Sequence, residues 1–212
     1  MTRVQRPVQR DLGDGHRLGH LPASRATIPA RQRSATAVGS APTGRFAIVA
    51  HSAGGVIGAE VARLAPERVS AFLAVAAVVP EPGGSFISAM PAPNRWVLDA
   101  AMRLAGTRPP NSAIRRRLAH RLDDQTADRI IADFAPESPG LYRDRTAHRS
   151  WSGVRGYVLT TQDREVPIAL QQRCARRLGH AWGDRLDTGH LPMLEDPKAL
   201  VGSIARFLDS RP

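Results

Sequence analysis

Ser52 is the residue with the clearest potential for chemistry, because of the stretch that contains it, Phe46-Ala-Ile-Val-Ala-His-Ser-Ala-Gly-Gly55. Residues 46–50 are apolar without alternation, which is typical of a strand buried inside a parallel sheet. Residues 56–64 then carry apolar side chains at helical spacing. Ser52 is therefore predicted to lie at a sharp turn between a strand and a helix.

Such a turn has a use in acyl transfer, because it holds the serine hydroxyl clear of the backbone. The N–H of the next residue, Ala53, can face the oxyanion that forms during the reaction. The turn requires small neighbours two residues before and after the serine, and these are Ala50 and Gly54. A serine that merely caps the helix is the alternative interpretation of Ser52.

A serine hydroxyl is a weak nucleophile, so it needs an imidazole to take its proton and a carboxylate to hold that imidazole in the right tautomer. Asp163 and His190 are the candidates, and the chain carries the three residues in the order Ser52, Asp163, His190. Glu165 and Glu81 remain alternative acids. The competing histidines are His51, which adjoins the serine, and His120, His148 and His180.

The surrounding pattern predicts a parallel α/β sheet that brings these residues to one edge. Predicted strands cover 69–79, 156–161 and 185–187, and predicted helices cover 168–178 and 197–208. An insertion at about 81–153 contains helical stretches near 95–104, 112–122 and 125–134, and we expect it to form a lid. Asp163 and His190 follow strands directly, at the edge where open parallel sheets build their sites.

These features resemble the α/β-hydrolase fold over roughly residues 45–210. The resemblance rests on Ala-His-Ser-Ala-Gly-Gly, on Thr-Thr-Gln-Asp-Arg-Glu-Val-Pro and on Asp-Thr-Gly-His-Leu-Pro-Met-Leu-Glu-Asp-Pro. It favours Asp163 over Glu165, and it is closest to the methyl esterase and hydroxynitrile lyase-like group. The lyases carry a lysine after the histidine, where this chain has Leu191. The resemblance thus implies a serine hydrolase that acts on small carboxylic esters through Ser52, His190 and Asp163, without a cofactor or metal.

Residues 1–44 differ from the rest and are predicted to be an Arg-rich loop or disordered segment, with residues 34–38 as a faint strand candidate. The fold normally begins with further strands and a loop that donates a second oxyanion N–H, so the first part of the fold is interpreted as missing or replaced. The alternative function is accordingly a catalytically impaired relative that acts as a binding protein. An unpaired strand at 46–50 predicts self-association.

Composition narrows the classes of partner. The net charge is +11, but the bases are scattered arginines with one lysine, Lys198, which argues against nucleic-acid binding. No apolar run is long enough for a membrane span. Cys174 is the only cysteine and is predicted to be buried, which fits a cytoplasmic protein. His16 and His20 have a spacing suited to metal ligands, but no third ligand accompanies them.

Overall fold

The computed structural model describes residues 30–41, 43–147 and 150–210. Their centre is a parallel sheet of four strands, which lie in the spatial order β1-β2-β3-β4. The strands are β1 (Phe46–His51), β2 (Val69–Val75), β3 (Val154–Thr160) and β4 (Trp182–Leu186). The predicted parallel sheet is confirmed.

Helices connect the strands and cover both faces of the sheet. They are α1 (Ala30–Gly39), α2 (Gly54–Leu64), α3 (Phe86–Ala89), α4 (Asn94–Ala105), α5 (Asn111–Ala113), α6 (Asp124–Asp133), α7 (Pro139–Arg143), α8 (Ile168–Leu178), α9 (Pro192–Glu195) and α10 (Pro197–Asp209). A short π-helix (Ile114–Leu118) follows α5. In the part of the chain that the structure describes, no helix is both long and apolar enough to cross a membrane.

Small residues allow the two layers of helices to approach the sheet closely. On one face, Phe72 and Tyr157 pack with Ala59 of α2 and Cys174 of α8. Cys174 is fully buried, as predicted. On the other face, Leu73 and Val158 pack with residues of α10 such as Phe207. A Cβ atom added to Gly156 would lie 2.7 Å from the Phe207 ring, so only glycine fits beneath that ring.

β2 is shorter than the apolar pattern predicts. Residues 76–79 are buried, but the strand ends at Val75 because Ala76 adopts a positive φ of 44°. An apolar run that is buried as a loop looks the same in sequence as one buried as a strand. The prediction of a strand over 69–79 was therefore wrong for its last four residues.

Residues 30–39 form helix α1, where the sequence predicts a loop and a faint strand at 34–38. The Ser34 hydroxyl donates to the Ile57 carbonyl of α2 at 3.4 Å, and the Arg33 Nη1 group pairs with Glu137 at 2.6 Å. The prediction of irregular structure was wrong for this helix, while residues 1–29 lie outside the described residues. Among the described strands, β1 lies at the edge of the sheet.

The predicted insertion between β2 and β3 is a group of short helices, α3 to α7, which we call the cap. Three of the predicted helical stretches correspond to α4, to α5 with the π-helix, and to α6. The sequence pattern missed α3 and α7, which have four and five residues and are too short to show a helical period.

Candidate active site

Ser52 lies in the turn between β1 and α2 with a backbone φ of +55°, in the left-handed region. Such a conformation is costly for a residue with a side chain and persists only where surrounding contacts hold it. The Ser52 carbonyl accepts hydrogen bonds from the N–H groups of Gly55 at 3.1 Å and Val78 at 3.0 Å. These contacts fix the strained turn that the sequence predicts.

The sequence predicts that the turn requires small residues at Ala50 and Gly54. In the structure, the position with the least space for a side chain is Gly55. A Cβ atom on Gly55 would lie 2.5 Å from the Val78 carbonyl oxygen. One on Gly54 would contact none of the described atoms within 4 Å. Ala50 is buried against α2, where a Cβ atom on Gly58 would approach its methyl group to 3.3 Å.

His190 lies between Ser52 and Asp163 and is within hydrogen-bond distance of both. Its Nδ1 lies 2.8 Å from Asp163 Oδ2, and its Nε2 lies 2.8 Å from Ser52 Oγ. Because a carboxylate only accepts, Nδ1 carries the proton and Nε2 is left to accept from the Ser52 hydroxyl. The structure thus brings together the three side chains that the sequence singles out.

The Asp163 carboxylate is held on both oxygens. Oδ1 accepts from the N–H groups of Glu165 at 2.8 Å and Val166 at 2.9 Å, and Oδ2 accepts from the Thr160 hydroxyl at 3.1 Å. Burial alone would raise the pKa of Asp163, but the hydrogen bond and electrostatic attraction of His190, followed by the N–H groups of Val166 and Glu165, outweigh it and lower the pKa. Asp163 is therefore ionised and oriented toward His190.

Gln171 of α8 supports this loop, and sequence reasoning missed it. Its side chain is fully buried and forms hydrogen bonds to both backbone groups of Thr160, accepting from the N–H at 2.9 Å and donating to the carbonyl at 3.0 Å. It also donates to the Val166 carbonyl at 2.7 Å. A polar residue on the apolar face of a predicted helix is the signal that could have identified it.

His51 contacts His190 through the backbone. Its Nε2 lies 2.7 Å from the His190 carbonyl oxygen, so Nε2 carries a proton and donates it. Burial, followed by the proximity of His190, lowers the pKa of His51 to about 4. His51 is therefore neutral at pH 7 and supports the loop that carries His190.

The other candidate acids and histidines lie elsewhere. Glu165 pairs with Arg117 of the cap at 3.3 Å, and Glu81 pairs with Arg177 at 2.9 Å. The rings of His120 and His180 contact the backbone carbonyls of residues 117 and 175. His148, His16 and His20 lie outside the described residues.

Ala53 follows the nucleophile candidate as the N-cap of α2, with a φ of −61° and a ψ of −19°. Within the described part of the chain, no acceptor is bonded to its N–H. This group therefore lies at a helix N-terminus, where the backbone favours negative charge.

The arrangement of strand, turn, helix and three aligned side chains agrees with the match of residues 7–203 to the alpha/beta hydrolase family. The chain belongs to this family. The match covers most of the 212 residues, and it confirms the resemblance found in the sequence. A search of curated proteins found no match to this α/β hydrolase.

Solved structures agree on the fold. An extracellular alpha/beta-hydrolase from a Paenibacillus species, described as sharing structural and functional homology with tobacco salicylic acid binding protein 2, superposes with a TM-score of 0.77 at 16% identity, covering 85% of this chain and 80% of that one. A pyrethroid hydrolase from Sphingobium faniae JZ-2 has a TM-score of 0.68 at 20% identity, covering 91% and 84%. Polyneuridine aldehyde esterase has a TM-score of 0.63 at 15% identity, covering 88% and 80%. These likenesses confirm the α/β-hydrolase fold of this chain.

Proposed function

We propose that this α/β hydrolase is a serine esterase that cleaves small carboxylic esters through an acyl-enzyme. The observation that carries the proposal is the unbroken chain of hydrogen bonds from Ser52 through His190 to Asp163, with both contacts at 2.8 Å. A serine that only capped α2 would need no imidazole at its hydroxyl, and α2 has no side-chain cap.

In the first half of the reaction, Ser52 Oγ attacks the ester carbonyl carbon while its proton passes to His190 Nε2. The carbonyl oxygen becomes an oxyanion, which the Ala53 N–H stabilises. The tetrahedral intermediate then expels the alkoxide, which takes the proton from His190 and leaves as the alcohol. Asp163 stays ionised and stabilises the imidazolium between these two transfers.

In the second half, water attacks the acyl group on Ser52 and gives its proton to His190 Nε2. The carbonyl oxygen again becomes an oxyanion beside the Ala53 N–H. Collapse of this intermediate breaks the bond to Ser52 Oγ, which recovers its proton from His190. The carboxylic acid leaves, and the enzyme returns to its starting state.

The choice of a small ester rests on the sequence motifs and on solved structures that are named as esterases and hydrolases. The single buried Cys174 supports a cytoplasmic location for the protein. The scattered arginines argue against a nucleic-acid partner.

The test is hydrolysis of p-nitrophenyl esters with acyl chains of two to eight carbons. We expect turnover that is fastest for the shorter chains and that falls to the uncatalysed rate in Ser52→Ala. Ser70, which lies on β2 and donates to the Phe46 carbonyl, provides the matched control variant Ser70→Ala, which should keep activity. Turnover that survives in Ser52→Ala would refute the proposal. Its absence in the wild-type protein would favour the catalytically impaired binding protein.

A further inference from the structure

A cap residue reaches the loop that carries His190. Arg121 follows the π-helix, and its Nε donates to Glu195 Oε2 at 2.9 Å. Its Nη2 also donates to the Asp187 carbonyl at 3.3 Å, at the end of β4. Arg121 therefore connects the cap to both ends of the segment that contains His190.

Glu195 makes the connection to His190 itself. Its Oε2 accepts a second hydrogen bond, at 2.7 Å, from the N–H of Gly189, which directly precedes His190. The Glu195 side chain is only 7% exposed. One buried carboxylate oxygen thus holds the backbone beside His190 on one side and the cap guanidinium on the other.

The backbone of Gly189 is pressed against this carboxylate. A Cβ atom at Gly189 would lie 2.7 Å from Glu195 Oε1 and 3.0 Å from Cε1 of His120, another cap residue. Only glycine lets the His190 loop approach the cap this closely. The position of the loop is therefore sensitive to the position of Glu195.

Glu195 is kept at a cost in stability. Its Oε1 is buried, and none of the described residues forms a hydrogen bond to it. A buried carboxylate with one unpartnered oxygen destabilises a fold unless its other contacts compensate. If Glu195 only filled space, an apolar side chain of the same size would make the protein more stable. The carboxylate therefore favours a role of Glu195 in positioning.

A second contact between cap and catalytic loops is weaker. Arg117 pairs with Glu165 at 3.3 Å, but both side chains are about half exposed, with fractions of 55% and 39%. Solvent screens such a pair. In the Arg121–Glu195 pair the guanidinium is also partly exposed, at 41%, but the carboxylate is 7% exposed and is bonded directly to the His190 loop, so solvent screens this pair less.

We propose that Glu195 is a positioning residue for His190, and that Arg121 holds Glu195 in place so that the cap fixes the His190 loop. This inference rests on the proposed esterase function. Glu195 does not touch the reacting atoms and acts through the Gly189 N–H. The cap thereby contributes to the alignment of His190 with Ser52.

The experiment compares Glu195→Ala, Glu195→Gln and Arg121→Met with the wild-type protein, at a temperature well below unfolding. The first readout is the rate at which a fluorophosphonate labels Ser52. We expect a fall of at least about tenfold in Glu195→Ala, since misplacing a catalytic group by about 1 Å can cost up to about a hundredfold. Glu195→Gln keeps an oxygen acceptor for the Gly189 N–H and should restore most of the rate.

The second readout is independent of activity. The His190 Nδ1 proton, shared with Asp163, should give a far-downfield proton resonance that persists in Glu195→Gln and broadens or disappears in Glu195→Ala. The Arg121 side chain is 41% exposed, so Arg121→Met should fold normally. It should broaden the downfield resonance less than Glu195→Ala does. The matched control is Arg115→Met, since Arg115 pairs with Asp124 and Asp128 within the cap.

The outcomes separate the two proposals. A wild-type protein that is not labelled, but whose downfield resonance responds to Glu195→Ala and not to Arg115→Met, would refute the esterase function and support the positioning role. An unchanged resonance in Glu195→Ala, or a labelling rate equal to that of the wild-type protein, would overturn the positioning role.

Discussion

At the scale of single residues, the surrounding groups determine the protonation states of two side chains in the site. Asp163 is ionised and His51 is neutral. Four groups donate to Asp163 besides weaker contacts, so its carboxylate stays charged inside the protein. His51 is held neutral by burial, with a pKa of about 4, while it donates to the His190 carbonyl. The ionised Asp163 carboxylate accepts the Nδ1 proton of His190, so Nε2 is the nitrogen that faces the Ser52 hydroxyl.

Replacing the acid tests its orienting role. Asp163→Asn should lower turnover by about 10⁴-fold, because an amide that donates to Nδ1 places the imidazole in the wrong tautomer. Glu165→Gln should leave turnover close to that of the wild-type protein, because the Glu165 side chain faces Arg117 of the cap and not His190. Steady-state kinetics with a p-nitrophenyl ester measure both variants. The reverse ranking would move the acid role to Glu165.

The pKa of His51 predicts a loss of stability in acid. The folded state holds the imidazole neutral down to about pH 4, whereas the unfolded chain takes up a proton below the ordinary histidine pKa of 6.5. Stability is therefore complete above pH 6.5 and falls as the pH drops toward 4, by about 3 kcal/mol at most. The lowered pKa of Asp163 adds a further loss of stability below pH 3.8, the ordinary pKa of an aspartate.

Chemical denaturation between pH 7 and pH 4 measures this loss. His51→Gln supplies the control, because a side-chain amide can donate to the His190 carbonyl and does not titrate. The variant should lose less stability than the wild-type protein over the same range. An equal loss in both proteins would exclude His51 as the cause.

At the scale of elements, the sequence predicts some of the contacts around the Ser52 turn and misses others. This turn joins β1 to α2. The turn between strand and helix was predictable because an apolar run, a serine and two glycines follow in order. The tight contact of Gly55 with Val78 was not, since residues 76–79 read as a strand and instead form a buried loop after Ala76. Local patterns predict elements, but they do not show which loops meet.

A pair of adjacent glycines tests that contact. Gly55→Ala places a methyl group 2.5 Å from the Val78 carbonyl oxygen, where backbone must move, and should destabilise the protein by about 1–3 kcal/mol. Gly54→Ala meets open space among the described residues and should be close to neutral. Thermal unfolding should separate them by roughly 2–10 °C. Equal melting temperatures would contradict the packing described for the turn.

At the scale of the whole molecule, the sequence predicted the parallel sheet, the cap and the three aligned side chains. Helix α1 was missed because its glycine- and arginine-rich surroundings mask a helix with little apolar periodicity. The supporting groups Gln171, Glu195 and Arg121 were also missed. They act through contacts between residues 5 to 74 positions apart along the chain, which join different elements and which no local pattern encodes.

The edge position of β1 among the described strands leads to a prediction for the isolated protein. Val49 is 48% exposed on this strand, and exposed apolar edge strands promote pairing between chains. We expect self-association that increases with concentration in analytical ultracentrifugation. A Val49→Lys variant should reduce it. Strong hydrogen-exchange protection of residues 1–29 in a monodisperse monomer would show instead that this segment covers the edge.

We propose that Ser52 is a nucleophile activated by His190 and Asp163. The most direct test of this role is reaction with a fluorophosphonate, followed by mass spectrometry of the peptides. The structure predicts a single phosphonylated residue, Ser52, with the modification absent in Ser52→Ala and strongly slowed in His190→Ala. An unmodified Ser52 in the folded wild-type protein, or labelling that persists in Ser52→Ala, would contradict the claim.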